Sequence, residues 1–256
     1  MPGWLELFTV ALFGLCIGSF LNVCAYRLPL GESIVSPASR CTSCGRTLSW
    51  FDNLPVLSWV ALRGRCRTCK APVSWMYPTV EIITSLVFVI TYLMYGLTLM
   101  SLVRVVFACA LIVLFITDLQ HKILPNAITL PGIVVGFVCS FFLPPGWVSS
   151  LIGLIVGGGF LWAIAEAYYR LRGQEGLGMG DVKLLAMIGA FLGWKLVLLT
   201  LVFASFTGSL AGGLLIASGR GNMKYALPFG TFLAVGALFA ATWGEPIADW
   251  YFGFYQ

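Results

Sequence analysis

Apolar residues run along this chain in blocks of about 16 to 23, long enough to span the roughly 30 Å of bilayer hydrocarbon as helices. The pattern predicts spans near 4–26, 79–95, 99–117, 127–143, 148–169, 182–194, 196–217 and 227–243. Polar residues concentrate in one sizeable insertion, 27–78, between the first two spans. The fold class expected is therefore all-α: a polytopic membrane protein of about eight transmembrane helices with a small polar insertion. The sixth span is short, about 20 Å of rise. Gly176, Gly178 and Gly180 precede it, and their freedom to adopt φ > 0 predicts irregular backbone entering the membrane, with the helix starting at Asp181.

Composition agrees with the pattern. The chain of 256 residues is 59% hydrophobic and only 10% charged, with a mean hydropathy of +0.95, which excludes a soluble domain. The net charge of +5 is distributed topologically rather than as a nucleic-acid surface. On these spans thirteen of the fifteen Lys and Arg residues fall on one side, with Arg104 and Lys195 on the other. Basic loops stay in the cytosol, so the 27–78 insertion is expected there, and both termini on the opposite side. The first apolar run lacks a basic flank and a small-residue cleavage site, and reads as a retained helix. Trp4, Tyr92, Tyr95, Trp147, Trp243 and Trp250 fall near span ends as an aromatic belt. Pro228 starts or kinks the last helix.

The insertion carries Cys41, Cys44, Cys66 and Cys69 in the spacing C-x2-C-x21-C-x2-C. Two close thiol pairs separated by a loop present four thiolates tetrahedrally to zinc, each pair turning at a residue such as Gly45. A cytosolic loop does not favour disulfides, and about 50 residues hold too little core to fold without a staple. Four thiolates leave no open coordination position, so the zinc expected is structural. Cys16, Cys24, Cys109 and Cys139 lie in apolar helices as packing residues. His121, the only histidine, lacks a second ligand at metal spacing and reads as a solvated loop residue.

Ten acids remain, and most have ordinary roles. Glu166 precedes Arg170 by four residues and is expected to pair with it. Glu81 opens the second span, where it either bonds nearby backbone or assists a substrate site. Asp118 and Asp181 stand out at the cytosolic ends of apolar runs, because a carboxyl group at a bilayer edge is unfavourable unless paired, hydrated or protonated. If their helices meet, like-charge repulsion and desolvation favour one shared proton. The ionised member then takes a proton from attacking water while the protonated one bonds the developing oxyanion. The pair titrates as a unit, so neither role is assigned to either residue. The alternative is that each acid caps a helix or pairs with Lys122 or Lys183.

Residues 176–194, GLGMGDVKLLAMIGAFLGW, and 115–131, FITDLQHKILPNAITLP, resemble the type IV prepilin peptidases, a family of GxGD aspartic proteases. The resemblance extends over nearly the whole chain. It includes GSFLNVCAYRLP (18–29), the four cysteines, NLPVLSW (53–59), LRGRC (62–66), YPTVE (77–81) and LPFGTFLA (227–234). It implies that Asp118 and Asp181 are the catalytic aspartates and that the cysteines form the family's zinc loop. Relatives commonly have Asp after the Leu-Pro that follows the first aspartate, where this chain has Asn126. The organisation expected is an N-terminal region, 1–98, with two helices and the zinc loop, followed by a GxGD protease domain, 99–256.

The activity implied is bifunctional and sited in the bacterial inner membrane, among its lipids, on the cytosolic face. The enzyme removes the basic leader of prepilins or pseudopilins, then methylates the new amine with S-adenosylmethionine. Leader, cleavage site and apolar helix follow one another in such substrates, which brings the scissile bond to the membrane edge. Glu175 is a candidate to receive the basic leader. No nucleotide-type glycine fingerprint appears, and Gly157, Gly158 and Gly159 read as close helix packing. The cofactor ligands are not identifiable, with Asn22, Arg27 and Glu81 the polar groups near that face. Other classes that fit intramembrane acids are a proton-coupled transporter, which predicts inverted repeats and midplane acids, and a noncatalytic scaffold of a pilus or secretion assembly.

Overall fold

The computed structural model describes residues 3–174, 178–219 and 227–253, apart from the side chain of Phe252. The elements are α1 (Trp4–Arg27), α2 (Leu57–Ala61), α3 (Met76–Tyr95), α4 (Leu99–His121), α5 (Asn126–Cys139), α6 (Trp147–Arg172), α7 (Met179–Ala217) and α8 (Phe229–Gly253). The fold is all-α; among the described residues strand pairing is limited to two isolated bridges in the 27–78 loop. Among the described residues six helices, α1, α3, α4, α6, α7 and α8, are long and apolar enough to cross a bilayer, and α5 is a shorter apolar helix. The chain is a multi-pass membrane protein.

The chain divides into two compact units, 1–113 and 114–256. In the first, α1 and α3 pack through small residues, as membrane helices do when backbones approach closely. A Cβ on Gly14 would lie 2.7 Å from Ser85 Cα, and one on Gly18 would lie 2.6 Å from Glu81 Cα. The Ser85 hydroxyl adds a bond to the Ala11 carbonyl at 2.9 Å.

In the second unit α7 packs against α5, α6 and α8, so its sequence is apolar on every side and Leu184 to Leu192 are buried. Gly153 of α6 meets Gly189 of α7 backbone to backbone, and a Cβ on Gly157 would lie 2.6 Å from the Leu185 carbonyl. Gly158 lies against Ala186, whereas Gly159 faces open space, so only two of the three consecutive glycines serve packing.

Three boundaries differ from the sequence expectation. The spans expected at 182–194 and 196–217 form one 39-residue helix broken at Gly193, whose φ of 77° and ψ of 177° change direction without a loop. α4 continues past Asp118, because the Lys122 N–H still bonds the Asp118 carbonyl at 2.8 Å; His121 is thus an exposed helix end rather than a loop residue. α7 begins at Met179, two residues before Asp181, with Gly178 extended at φ −71°. Neither Gly178 nor Gly180 adopts a positive φ. Gly180 instead permits contact, since a Cβ there would lie 3.0 Å from Leu124 Cβ. Gly176 lies outside the described residues.

Candidate active site and metal centre

Asp118 sits in the last turn of α4 and Asp181 in the first turn of α7. The connection from α4 folds back through Leu124, whose side chain rests against both Gly180 and Gly230, the first beside Asp181 and the second against Asp118. Asp118 is buried, 5% exposed, and its Oδ2 accepts the Thr231 peptide N–H at 2.7 Å. Asp181 is half-buried, and the charge of Asp118 is close enough to bear on it. Lys183, offered by the sequence as a partner for the acids, instead donates from Nζ to Asn126 Oδ1 at 2.9 Å. The arrangement is a recessed pair of carboxyl groups at helix ends, where water and a backbone carbonyl can be polarised together.

The four cysteines converge. Their sulfur atoms all lie within 4.8 Å of one another, and Cys41 Sγ and Cys69 Sγ are 3.8 Å apart. This is a cluster able to hold a metal ion. Each pair belongs to a knuckle, and the two knuckles repeat bond for bond. Cys41 N–H bonds Arg46 O at 2.9 Å as Cys66 N–H bonds Ala71 O at 2.9 Å; Leu48 N–H bonds Ser39 O at 2.7 Å as Val73 N–H bonds Gly64 O at 2.8 Å. The turn residues are Gly45, φ 72°, and Lys70, φ 59°. Two peptide N–H groups, of Cys69 and Thr68, pull the Cys66 thiol down to about 6. Those of Cys44 and Ser43 likewise lower Cys41, so the first cysteine of each knuckle is primed as a thiolate.

A second feature joins the knuckles. Asp52, in the 3₁₀ turn Trp50–Asn53, accepts from Arg67 Nε at 2.8 Å and lies 3.5 Å from Arg46. The Arg67 bond and, secondarily, the Ser49 N–H hold the Asp52 carboxyl below its ordinary value. Sequence reading placed Asp52 only in the polar loop. The repeat R-C-x-x-C followed by Leu-Ser-Trp at 40–50 and by Val-Ser-Trp at 65–75 marks the two knuckles but not the acid that joins them.

Comparison with known proteins bears on both features. A bacterial peptidase A24 N-terminal domain model matches residues 12–95, and the type IV leader peptidase family model matches residues 105–213. The chain is 38% identical over 259 residues to a prepilin leader peptidase/N-methyltransferase of Pseudomonas putida, covering 91% of this chain and 89% of that one. A protein of the same name in Myxococcus xanthus is 43% identical over 229 residues, covering 88% and 68%. The Aeromonas hydrophila counterpart is 35% identical over 275 residues, covering 97% and 94%. The chain belongs to the type IV leader peptidase family. No solved structure matches it.

Within this family member, the other polar residues of the N-terminal unit have structural partners. The Asn22 amide donates to Tyr77 O at 3.1 Å. Arg27, 7% exposed, donates to the carbonyls of Ser33 at 2.9 Å and Pro37 at 2.8 Å, tying the start of the loop to α1. Glu81 takes the first of its two expected roles, accepting the Val56 N–H at 2.7 Å. Glu166 and Arg170 pair at 2.7 Å as their spacing predicts. Glu175, the candidate receiver of a basic leader, lies outside the described residues. A recess of about 350 Å³, lined by Pro145–Ser149, Ile152 and Trp194, lies at the Gly193 break rather than beside Asp181, and no titratable group lines it.

Proposed function

We propose that this leader peptidase family member is a membrane-embedded aspartic endopeptidase that removes the leader of type IV prepilins or pseudopilins, and that the trimmed product is then N-methylated. The observation that carries the peptidase reading is the approach of Asp118 and Asp181 at helix ends. One carboxylate takes a proton from water as the hydroxyl adds to the scissile carbonyl carbon, and the other, protonated, donates to the oxygen as it gains charge. Collapse breaks the C–N bond, the departing nitrogen takes the proton held by the first acid, and the second recovers its own. The products are a leader carboxylate and a free amine, with the dyad returned to its starting state.

The sulfur cluster suits zinc. Zinc–thiolate bonds of about 2.3 Å in a tetrahedron place sulfurs about 3.8 Å apart, the separation of Cys41 and Cys69. Cys41, Cys44, Cys66 and Cys69 would hold it, and it would supply cross-linking rather than chemistry, having no position for substrate. S-adenosylmethionine would supply the methyl group; no residue of this chain is assigned to it. The basic bias of the loops favours the bacterial inner membrane with the dyad and zinc loop on the cytosolic face, where a basic leader would meet them beside lipid.

The test is cleavage by the purified chain in liposomes, in oxygen-18 water, with and without S-adenosylmethionine. Direct attack by water predicts a labelled leader carboxylate with or without the methyl donor, and methyl transfer only to the trimmed product. An uncleaved prepilin, or methylation of an untrimmed one, contradicts the order proposed.

A further inference from the structure

The two acids are held differently. Asp118 Oδ2 is fixed by a peptide N–H 113 residues away, at 2.7 Å and in a buried setting, with the Gly230 N–H also bearing on the carboxylate, whereas no hydrogen bond reaches the Asp181 carboxyl group among the described residues. The donor to Asp118 is the backbone and not the hydroxyl, because Thr231 Oγ1 donates to the Pro228 carbonyl. α8 starts at Phe229, so the Thr231 N–H is one of the first-turn donors that have no partner within their own helix. It meets the carboxylate at the positive end of the helix dipole. Gly230 makes the approach possible: a Cβ there would lie 3.0 Å from Asp118 Oδ2 and 3.1 Å from its Cγ, with Leu124 Cδ1 at 3.0 Å. Among the described residues, Lys122, one turn along α4, bears on Asp118, and Asp118 in turn bears on Asp181.

We propose that the first turn of α8 positions Asp118: the Thr231 N–H anchors Oδ2 and sets the orientation of the carboxyl group toward water, while Gly230 keeps the space that this geometry needs. The proposal rests on the dyad reading above and makes Gly230 and Thr231 positioning residues that touch neither water nor substrate.

The experiment measures kcat and KM for prepilin cleavage by the full chain in liposomes, with thermal stability, for Gly230→Ala, Thr231→Pro, Thr231→Ala and Asp118→Asn. Gly230→Ala improves helix propensity, so a purely structural glycine predicts undiminished activity. Displacement of the carboxyl group predicts instead a kcat lower by on the order of a hundredfold at unchanged KM. Thr231→Pro removes the N–H at a helix position where proline is tolerated, and kcat falls likewise. Thr231→Ala keeps the N–H and should retain a kcat well above that of Thr231→Pro. Wild-type kcat in Gly230→Ala overturns the proposal, as does equal loss in Thr231→Ala and Thr231→Pro. If Thr231→Pro does not fold, Gly230→Ala decides. Asp118→Asn distinguishes the two levels: cleavage by that variant sinks the dyad itself, whereas its inactivity beside a fully active Gly230→Ala sinks only the positioning role.

Discussion

Glu81, in the second turn of α3, accepts the peptide N–H of Val56 at 2.7 Å. Val56 is a β-branched residue at φ 59° and ψ −48°, inside a tight turn closed by the Leu57 N–H on the Pro55 carbonyl. That conformation is strained for valine, and the buried glutamate holds it in place. Glu81→Ala leaves the N–H without its partner and should destabilise the loop by about 1 to 3 kcal/mol. Val56→Gly should relieve the turn by roughly 1 kcal/mol. Hydrogen exchange of residues 54–62 checks both; equal protection in Glu81→Ala and wild type would show that the bond does not hold the turn.

Asp52 ties the two cysteine knuckles through Arg67 and Arg46. Its carboxyl is held below the ordinary value of 3.8 in the folded loop. A group depressed on folding stabilises fully above its unfolded value, and that contribution is lost as pH falls through the lowered folded value. The tie should therefore be intact at pH 5 and weaken only in acid below the ordinary carboxylate range. Asp52→Asn at neutral pH should weaken metal retention by about tenfold, read by competition with a chromogenic chelator. Unaltered retention would make the clamp irrelevant to the site.

One zinc per chain is expected, lost in Cys41→Ser or Cys69→Ser. Elemental analysis of purified protein without metal would reject the assignment. The knuckle repeat adds a finer test, because Lys70 occupies at φ 59° the place that Gly45 fills at φ 72°. Lys70→Gly should stabilise the second knuckle by about 1 kcal/mol, the left-handed penalty of a side chain. A lower unfolding midpoint in that variant would contradict the equivalence.

Helix contact in the C-terminal unit depends on the missing side chains of Gly153 and Gly189. Gly189→Ala should therefore destabilise by about 1 to 3 kcal/mol despite its better helix propensity, because backbone must move apart. Gly159→Ala, facing open space, should be neutral or stabilising. Comparing unfolding midpoints of the two in detergent separates packing from propensity.

Most of the helix order was legible because each span announces itself by a run of apolar residues. Boundaries set by hydrogen bonds were not. α4 outlasts Asp118 because its last turn closes on Lys122, and the start of α7 at Met179 depends on Gly178 acting as an extended cap. The bend at Gly193 replaced an expected loop, since one positive φ redirects a chain without polar residues to mark it. Cysteine spacing announced the metal cluster, but the Asp52 clamp needed three dimensions. So did the contact between Asp118 and Thr231, for nothing in the local sequence around residue 118 points 113 positions ahead.

The central claim is that Asp118 and Asp181 act as one hydrolytic centre. Leader removal from a prepilin, followed in purified membranes with wild type, Asp118→Asn and Asp181→Asn at matched levels of folded protein, tests it most directly. Each substitution alone should lower the rate by a factor of about a hundred to ten thousand, as loss of a general acid or base does. Cleavage at the wild-type rate by either variant would contradict the account.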